Sequence, residues 1–185
     1  MNAGGVQWRE SPSSDRWSNL DFLGKGKARS AWADSWPEDG CDFSWDAVGR
    51  VQIGKVGWEW LLVTAFAAPG ELELNLESPI ERLDGRVTSV IEAAQRGFKI
   101  EPDIEWRHGN MFLGTRLSAL SFLRQHGVCV RMLSVYFHDE HPGQHSPFPR
   151  LAAWDPAIVA SRQRLGLTGD SALERRTYRL FLPAI

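Results

Sequence analysis

Two stretches of the chain are apolar on both alternating faces, Trp58–Ala67 (WEWLLVTAFA) and Val128–Phe137 (VCVRMLSVYF). Successive side chains of a strand point to opposite sides. The first run therefore sets Trp60, Leu62, Thr64 and Phe66 on one face and Glu59, Leu61, Val63 and Ala65 on the other. This is the pattern of strands inside a sheet that is covered, and it frames the rest of the reading.

The segments around these runs supply the cover. Phe43–Ile53 is a further β-rich run, joined to the first by Gly54-Lys55-Val56-Gly57, which reads as a hairpin. Ser78 as N-cap, Pro79 at the first helical position and Glu81 three residues on form a capping box. The stripe Ile80, Leu83, Val87, Ile91 and Ala94 continues that helix, and Gly97 is its natural stop. A second helix is expected from about Asn110 to His126, ended by Gly127, and a third from Asp155-Pro156 to Leu165-Gly166. Asp21–Trp36 is loosely helical, interrupted by Gly24 and Gly26, and Tyr178–Leu182 is a short last strand. The order α-β-β-α-α-β-α-β implies an α/β fold with a mixed central sheet flanked by helices. Residues 1–20 are rich in Ser, Gly and Pro and read as a flexible N-terminal arm, tacked down by Trp8 or Trp17. Residues 21–185 read as one domain, as a length of 185 residues suggests.

Charge and cysteine content narrow the classes. The 21 basic and 23 acidic residues leave a net charge of −2, so the whole chain is not a basic nucleic-acid binder. Residues 1–95 carry 9 basic and 15 acidic groups and residues 96–185 carry 12 and 8, so the balance runs from −6 to +4. Only Cys41 and Cys129 occur, too few for a disulfide framework, which points to a reducing compartment, the cytoplasm. No apolar run is long enough for a membrane span, and the start lacks a signal-peptide pattern.

Four features bear on chemistry. Asp46, within Trp45-Asp46-Ala47-Val48-Gly49, is either a ligand for a hard cation or a capping group. His138, His141 and His145 follow a strand and could hold a transition metal, though Pro142 and Gly143 describe an ordinary loop equally well. Lys25 and Lys27, in Leu23-Gly24-Lys25-Gly26-Lys27, could touch phosphate but lack a phosphate loop's spacing. Arg116, Arg124 and Arg131, with Arg162, Arg164, Arg175, Arg176 and Arg179, could build a basic surface or a solvated, salt-bridged one.

The run WDAVGRVQIGKVGWEWLLVTAFAAPGELEL resembles a bacterial group of the PD-(D/E)XK, or restriction endonuclease-like, nuclease superfamily. Members of that group carry Asn-Trp-Asp-Ala-Val-Gly, a short hairpin, then Glu-Trp-Leu-Leu-Val-Glu-Ala-Lys-Ala and Gly-Glu-Leu. Arg116–Leu123, Gly127–Phe137 and Tyr178–Pro183 continue the resemblance in the same order, so it spans about residues 30–185. It implies a restriction endonuclease-like fold in which an Asp and a Glu hold Mg²⁺ and a Lys orients the attacking water. Asp46 matches the Asp, but Thr64 stands at the Glu position and Phe66 at the Lys position. Met111–Leu117 also departs from the Tyr-Gln and Asn-Arg-Leu that the group carries there. Thr binds Mg²⁺ poorly and Phe can neither donate a proton nor offset charge. The expectation is a degenerate member with no cofactor, serving as a nucleic-acid-binding or protein-interaction subunit or a homo-oligomer. Nine Trp residues and the arginines of the basic half motivate these readings. The alternative is an active Mg²⁺-dependent nuclease whose carboxylate has migrated to Glu71, Glu77, Glu81 or Glu92, with Lys55 or an Arg as the cation. Of these, Glu71 matches the Gly-Glu-Leu position.

Overall fold

The computed structural model describes residues 5–9, 17–36, 43–54, 57–73, 85–101, 104, 106, 111–140 and 147–184. At its centre is a five-stranded sheet built from β1 (Val6–Arg9), β4 (Ala47–Ile53), β5 (Gly57–Phe66), β6 (Val130–His138) and β7 (Thr177–Pro183), side by side in that order. The pairs β1–β4 and β4–β5 are antiparallel, whereas β5–β6 and β6–β7 are parallel. A two-residue pair, β2 (Trp17–Ser18) with β3 (Ser44–Trp45), stands apart from it. Among the described residues, four helices complete the α/β fold: α1 (Lys27–Ser35), α2 (Gly85–Phe98), α3 (Met111–Gln125) and α4 (Trp154–Arg164).

The mixed sheet follows from how the chain returns to it. β4 and β5 form the expected hairpin, Ile53 lying opposite Gly57, with Gly54 at φ +54° in the left-handed region that glycine adopts freely. Lys55 and Val56 lie outside the described residues. Parallel partners need a crossover. α2 and α3 lie between β5 and β6, and α4 between β6 and β7.

The two sets of β5 side chains divide between the faces as the alternation requires. Leu62, with Val48, Val130 and Met132, packs against Val87, Ile91, Ala94 and Phe98 of α2 and Leu117 and Leu120 of α3. Trp32 of α1 joins the same cluster. Phe66 and Tyr136 meet Trp154 and Ile158 of α4 on that side. Leu61, Val63 and Val135 form a separate cluster on the other side with Ala47, Ala65, Leu133 and Phe137.

α3 is buried nearly all round, from Gly114 to Leu123. Its small polar residues make this tolerable, since Ser118 Oγ donates to the Gly114 carbonyl at 2.8 Å and Thr115 Oγ1 to that of Phe112 at 3.2 Å. At Gly114 a Cβ would stand 3.1 Å from Trp106 Cβ, so the glycine admits the indole against the helix.

Three helix bounds differ from expectation. In the described part of residues 1–20, Val6–Arg9 pairs with β4, and Trp17, one of the two residues expected to tack the segment down, is buried and pairs with Trp45. β1 can dock because Gly49 has no Cβ; one built there would stand 2.9 Å from the Trp8 ring and 3.2 Å from the Gln7 carbonyl. Gly97 does not stop α2, which runs to Phe98 and ends at Lys99 with φ +60°. Gly97 instead admits Leu173, whose Cδ1 would lie 2.9 Å from a Cβ. Asp155 lies in the first turn of α4 rather than at its cap, because the preceding 3-10 turn Leu151–Ala153 runs directly into the helix. Finally, Asp21–Trp36 divides at Gly24, φ +62°, into the turn Asp21–Leu23 and α1. The capping residues Ser78, Pro79 and Glu81 lie outside the described residues.

Gly49→Val should loosen β1 from the sheet and lower unfolding free energy by about 1–3 kcal/mol in urea titrations. Adding Trp8→Ala should recover part of that loss, whereas the clash with the Gln7 carbonyl stays.

Candidate functional site

Asp46 lies in the bend between β3 and β4, one residue before the point where Ala47 pairs with Val63. Its amide donates to the Val63 carbonyl at 2.9 Å, and its Oδ2 accepts the Ala65 amide at 2.8 Å. Backbone and side chain together thus bracket Thr64 on β5. The fold brings the Asp and Glu positions of the resemblance side by side, and Asp46 acts there as a backbone cap.

Thr64 and Phe66 are fully buried. Thr64 Oγ1 makes no hydrogen bond among the described residues. Phe66 stacks on Tyr136 with ring centroids 5.2 Å apart and planes 13° from parallel, and meets Phe112 edge-on at 5.9 Å. Tyr136 in turn touches Trp154 and Phe181 at 5.0 and 5.3 Å. The position where the resemblance calls for an ammonium is therefore the middle of an aromatic cluster closed by Leu72 and Ile158. Aromatic pairs at such distances add about 0.5–1.5 kcal/mol each beyond area burial.

The other proposed carboxylates are placed elsewhere or not described. Glu71 caps the exit of β5, accepting the Ala67 amide at 3.2 and 3.3 Å. Glu92 is exposed on α2, and Glu77 and Glu81 lie outside the described residues. Mg²⁺ takes octahedral oxygen coordination. A capping carboxylate beside a buried hydroxyl and a phenyl ring does not fit it.

His138 ends β6 buried, its Nδ1 without a hydrogen-bond partner among the described residues, while His141 and His145 lie outside them. Among the described residues, no three His, Cys, Asp or Glu side chains gather where a metal ion could sit.

The basic candidates separate. Arg116 is 4% exposed, and its guanidinium donates to the carbonyls of Phe112 at 2.7 Å and Ser44 at 2.8 Å, lying 3.8 Å from the Phe112 ring centroid. This corrects the surface reading: Arg116 ties α3 to β3 inside the molecule. Arg176 reaches Glu59 at 2.9 Å and Arg131 reaches the same carboxylate at 2.5 Å, so both are held in an ion-pair group. Lys25 and Lys27 are exposed at an open groove along the start of α1, beside Arg29, which pairs with Asp21 at 2.7 Å.

Arg175 lines a cleft of about 180 Å³ between α3, α4, β6 and β7, together with Arg162, Arg179, Ser134, Tyr136 and Ser161. Arg162 pairs with buried Glu174 at 2.9 Å, whereas no ion pair engages Arg175 or Arg179 among the described residues. Burial pushes the Tyr136 phenol up, and its hydrogen bond with Ser134 and the charges of Arg179 and Arg162 offset this in part. No protein-family model, curated protein or solved structure matches the chain. No helix among the described residues is long and apolar enough to cross a membrane.

Glu59 is the residue that site reasoning passed over. It is the single charge in the first apolar run, an out-of-pattern carboxylate on a covered strand. Burial alone would raise its pKa, but hydrogen bonds and charge from Arg131 and Arg176 prevail and hold it below the usual value. A lowered carboxylate pKa contributes stability that is present above the unfolded pKa and lost as pH falls through the folded one. Glu59→Gln should therefore cost about 1.5–3 kcal/mol at neutral pH, a gap that narrows as denaturation is repeated at progressively acidic pH.

Proposed function

We propose that this chain is a catalytically silent member of the restriction endonuclease-like superfamily, a scaffold that binds rather than cuts. The observation that carries the reading is the pair Thr64 and Phe66, buried beside Asp46 at the positions where the resemblance calls for Glu and Lys. The neighbouring placement of Asp46 and Thr64 supports the resemblance. Their chemistry speaks against phosphodiester hydrolysis, which needs a polarising metal and a cation for the developing charge. Incubation with single- and double-stranded DNA and with RNA, in Mg²⁺ or Mn²⁺, should give no cleavage. Metal-dependent cleavage that disappears in Asp46→Ala would overturn the proposal and restore the nuclease alternative.

One observation favours nucleic acid as the bound partner. Three guanidiniums, Arg162, Arg175 and Arg179, share one cleft with Glu174, the carboxylate that pairs with Arg162. Like charges gathered in this way favour an anion, and phosphate contacts make affinity fall with salt by about 0.9 log units per neutralised phosphate for each log unit of salt. Binding to short DNA or RNA should weaken in Arg175→Ala/Arg179→Ala, with the salt slope reduced by about 1–2. An unchanged slope would exclude this cleft as the contact.

A further inference from the structure

The cleft that gathers Arg162, Arg175 and Arg179 lies one strand over from Thr64. Pairing register sets Thr64, Ser134 and Arg179 abreast on β5, β6 and β7. Ser134 shares its side of β6 with Met132 and Tyr136, both packed under the helices, so Arg179 stands on the helix-covered face. The guanidiniums come from three elements: Arg162 from α4, Arg175 from the 3-10 turn Glu174–Arg176, and Arg179 from β7.

Their charges are unequally engaged. Glu174 is the one carboxylate lining the cleft among the described residues, and both its oxygens are taken. Oε1 accepts from Arg162 at 2.9 Å and Oε2 from the Gly169 amide at 2.8 Å. Three guanidiniums against one carboxylate leave two positive charges, those of Arg175 and Arg179, which are exposed and in no ion pair among the described residues. Ser134 and Tyr136 add hydroxyls that bond to one another, and such a pair keeps one proton to donate. Leu113, Leu117, Ile158 and Leu165 supply an apolar wall. At about 180 Å³ the cleft is smaller than the roughly 300–1,000 Å³ of sites for drug-sized molecules, which suits a phosphate on one small organic group.

The number of unengaged charges selects the kind of phosphate. An internal phosphodiester brings a single negative charge, whereas a phosphate monoester brings about 1.5 to 2 at neutral pH, with three acceptor oxygens. Guanidinium forks match such oxygens two at a time. A neighbouring groove indicates what carries the monoester. Arg175 lines this groove too, with Arg124 and Arg176 and no carboxylate among the described residues, so a positive lining continues out of the cleft. Glu59 holds Arg176, which leaves Arg124 and Arg175 to face a ligand. A nucleic-acid strand supplies the further phosphates that such a continuation suits.

We propose that the cleft holds the terminal phosphate of a nucleic-acid strand, with the next phosphates running over Arg175 toward Arg124. This rests on the reading of the cleft as the nucleic-acid contact and specifies the part of the strand that enters it. A free nucleoside monophosphate offers the same chemistry and is the other source to separate.

Short single-stranded oligonucleotides of one sequence, labelled internally and carrying a phosphate at one end, the other or neither, test it by fluorescence anisotropy at one salt concentration. A phosphorylated strand should bind about ten- to a hundredfold more tightly than the hydroxyl-ended one, the gain of a charge-assisted contact. In Arg175→Ala/Arg179→Ala, with folding checked by circular dichroism, that gap should close. Adenosine monophosphate should displace the phosphorylated strand only at higher concentration; one that binds as tightly as the strand overturns the strand as the source. Equal binding of phosphorylated and hydroxyl-ended strands by the wild-type chain overturns the proposal and leaves the cleft as a nucleic-acid contact. A gap that persists in the double variant overturns it as well, as does tighter binding of a phosphoserine peptide. Failure of every strand to bind would instead remove the nucleic-acid reading itself, and this assignment with it.

Discussion

The fold depends on the burial of β5, complete from Leu61 to Thr64 and again at Phe66. Its edges are taken by β4 and β6, one face lies against helices, and the other carries Leu61 and Val63. Hydrophobic burial of a central strand on this scale is the dominant favourable term available to such a chain. Everything next to β5 is arranged around it: an antiparallel hairpin on one side, two parallel returns on the other. Asp46 belongs to this arrangement as well, because its carboxylate supplies the acceptor for the Ala65 amide where β4 begins.

Much of this was legible in the sequence, and for identifiable reasons. The doubly apolar runs of β5 and β6 admit few readings, and the glycines of the β4–β5 turn punctuate them. α3 was legible from spacing and from Gly127, which takes φ +75° after the helix. β1 was not, because a four-residue strand in a Ser- and Gly-rich segment depends on Gly49 of its partner, which local pattern does not reveal. Periodicity also says which residues share a face but not on which side of the sheet a helix will land. That side is decided by strand order, a long-range property.

The site was legible by position but not by environment. Placing Thr64 and Phe66 opposite Asp46 needed only order along the chain. Seeing that Phe66 stacks on Tyr136, which in turn stacks on Phe181 and meets Trp154 at a tilt, needed three further elements to converge. Arg116 was misread for a related reason: a count of arginines records charge and not burial, and its partners are carbonyls, one of them 72 residues away in sequence. Charge asymmetry between the two halves was real, yet Arg131 and Arg176 of the basic half share the one carboxylate of Glu59 from the acidic half.

The aromatic cluster around Phe66 also sets the directions in which this chain can change. A carboxylate alone at position 64 would be buried beside Asp46, a like charge it would have to share space with. An ammonium alone at position 66 would stand among the rings of Tyr136 and Phe112, and burying a charge in an apolar cluster is among the costliest changes a core can suffer. Each step separately runs uphill, and only the two together could offset one another. The packing therefore behaves as a ratchet: apolar replacement is easy to enter and hard to reverse by single substitutions.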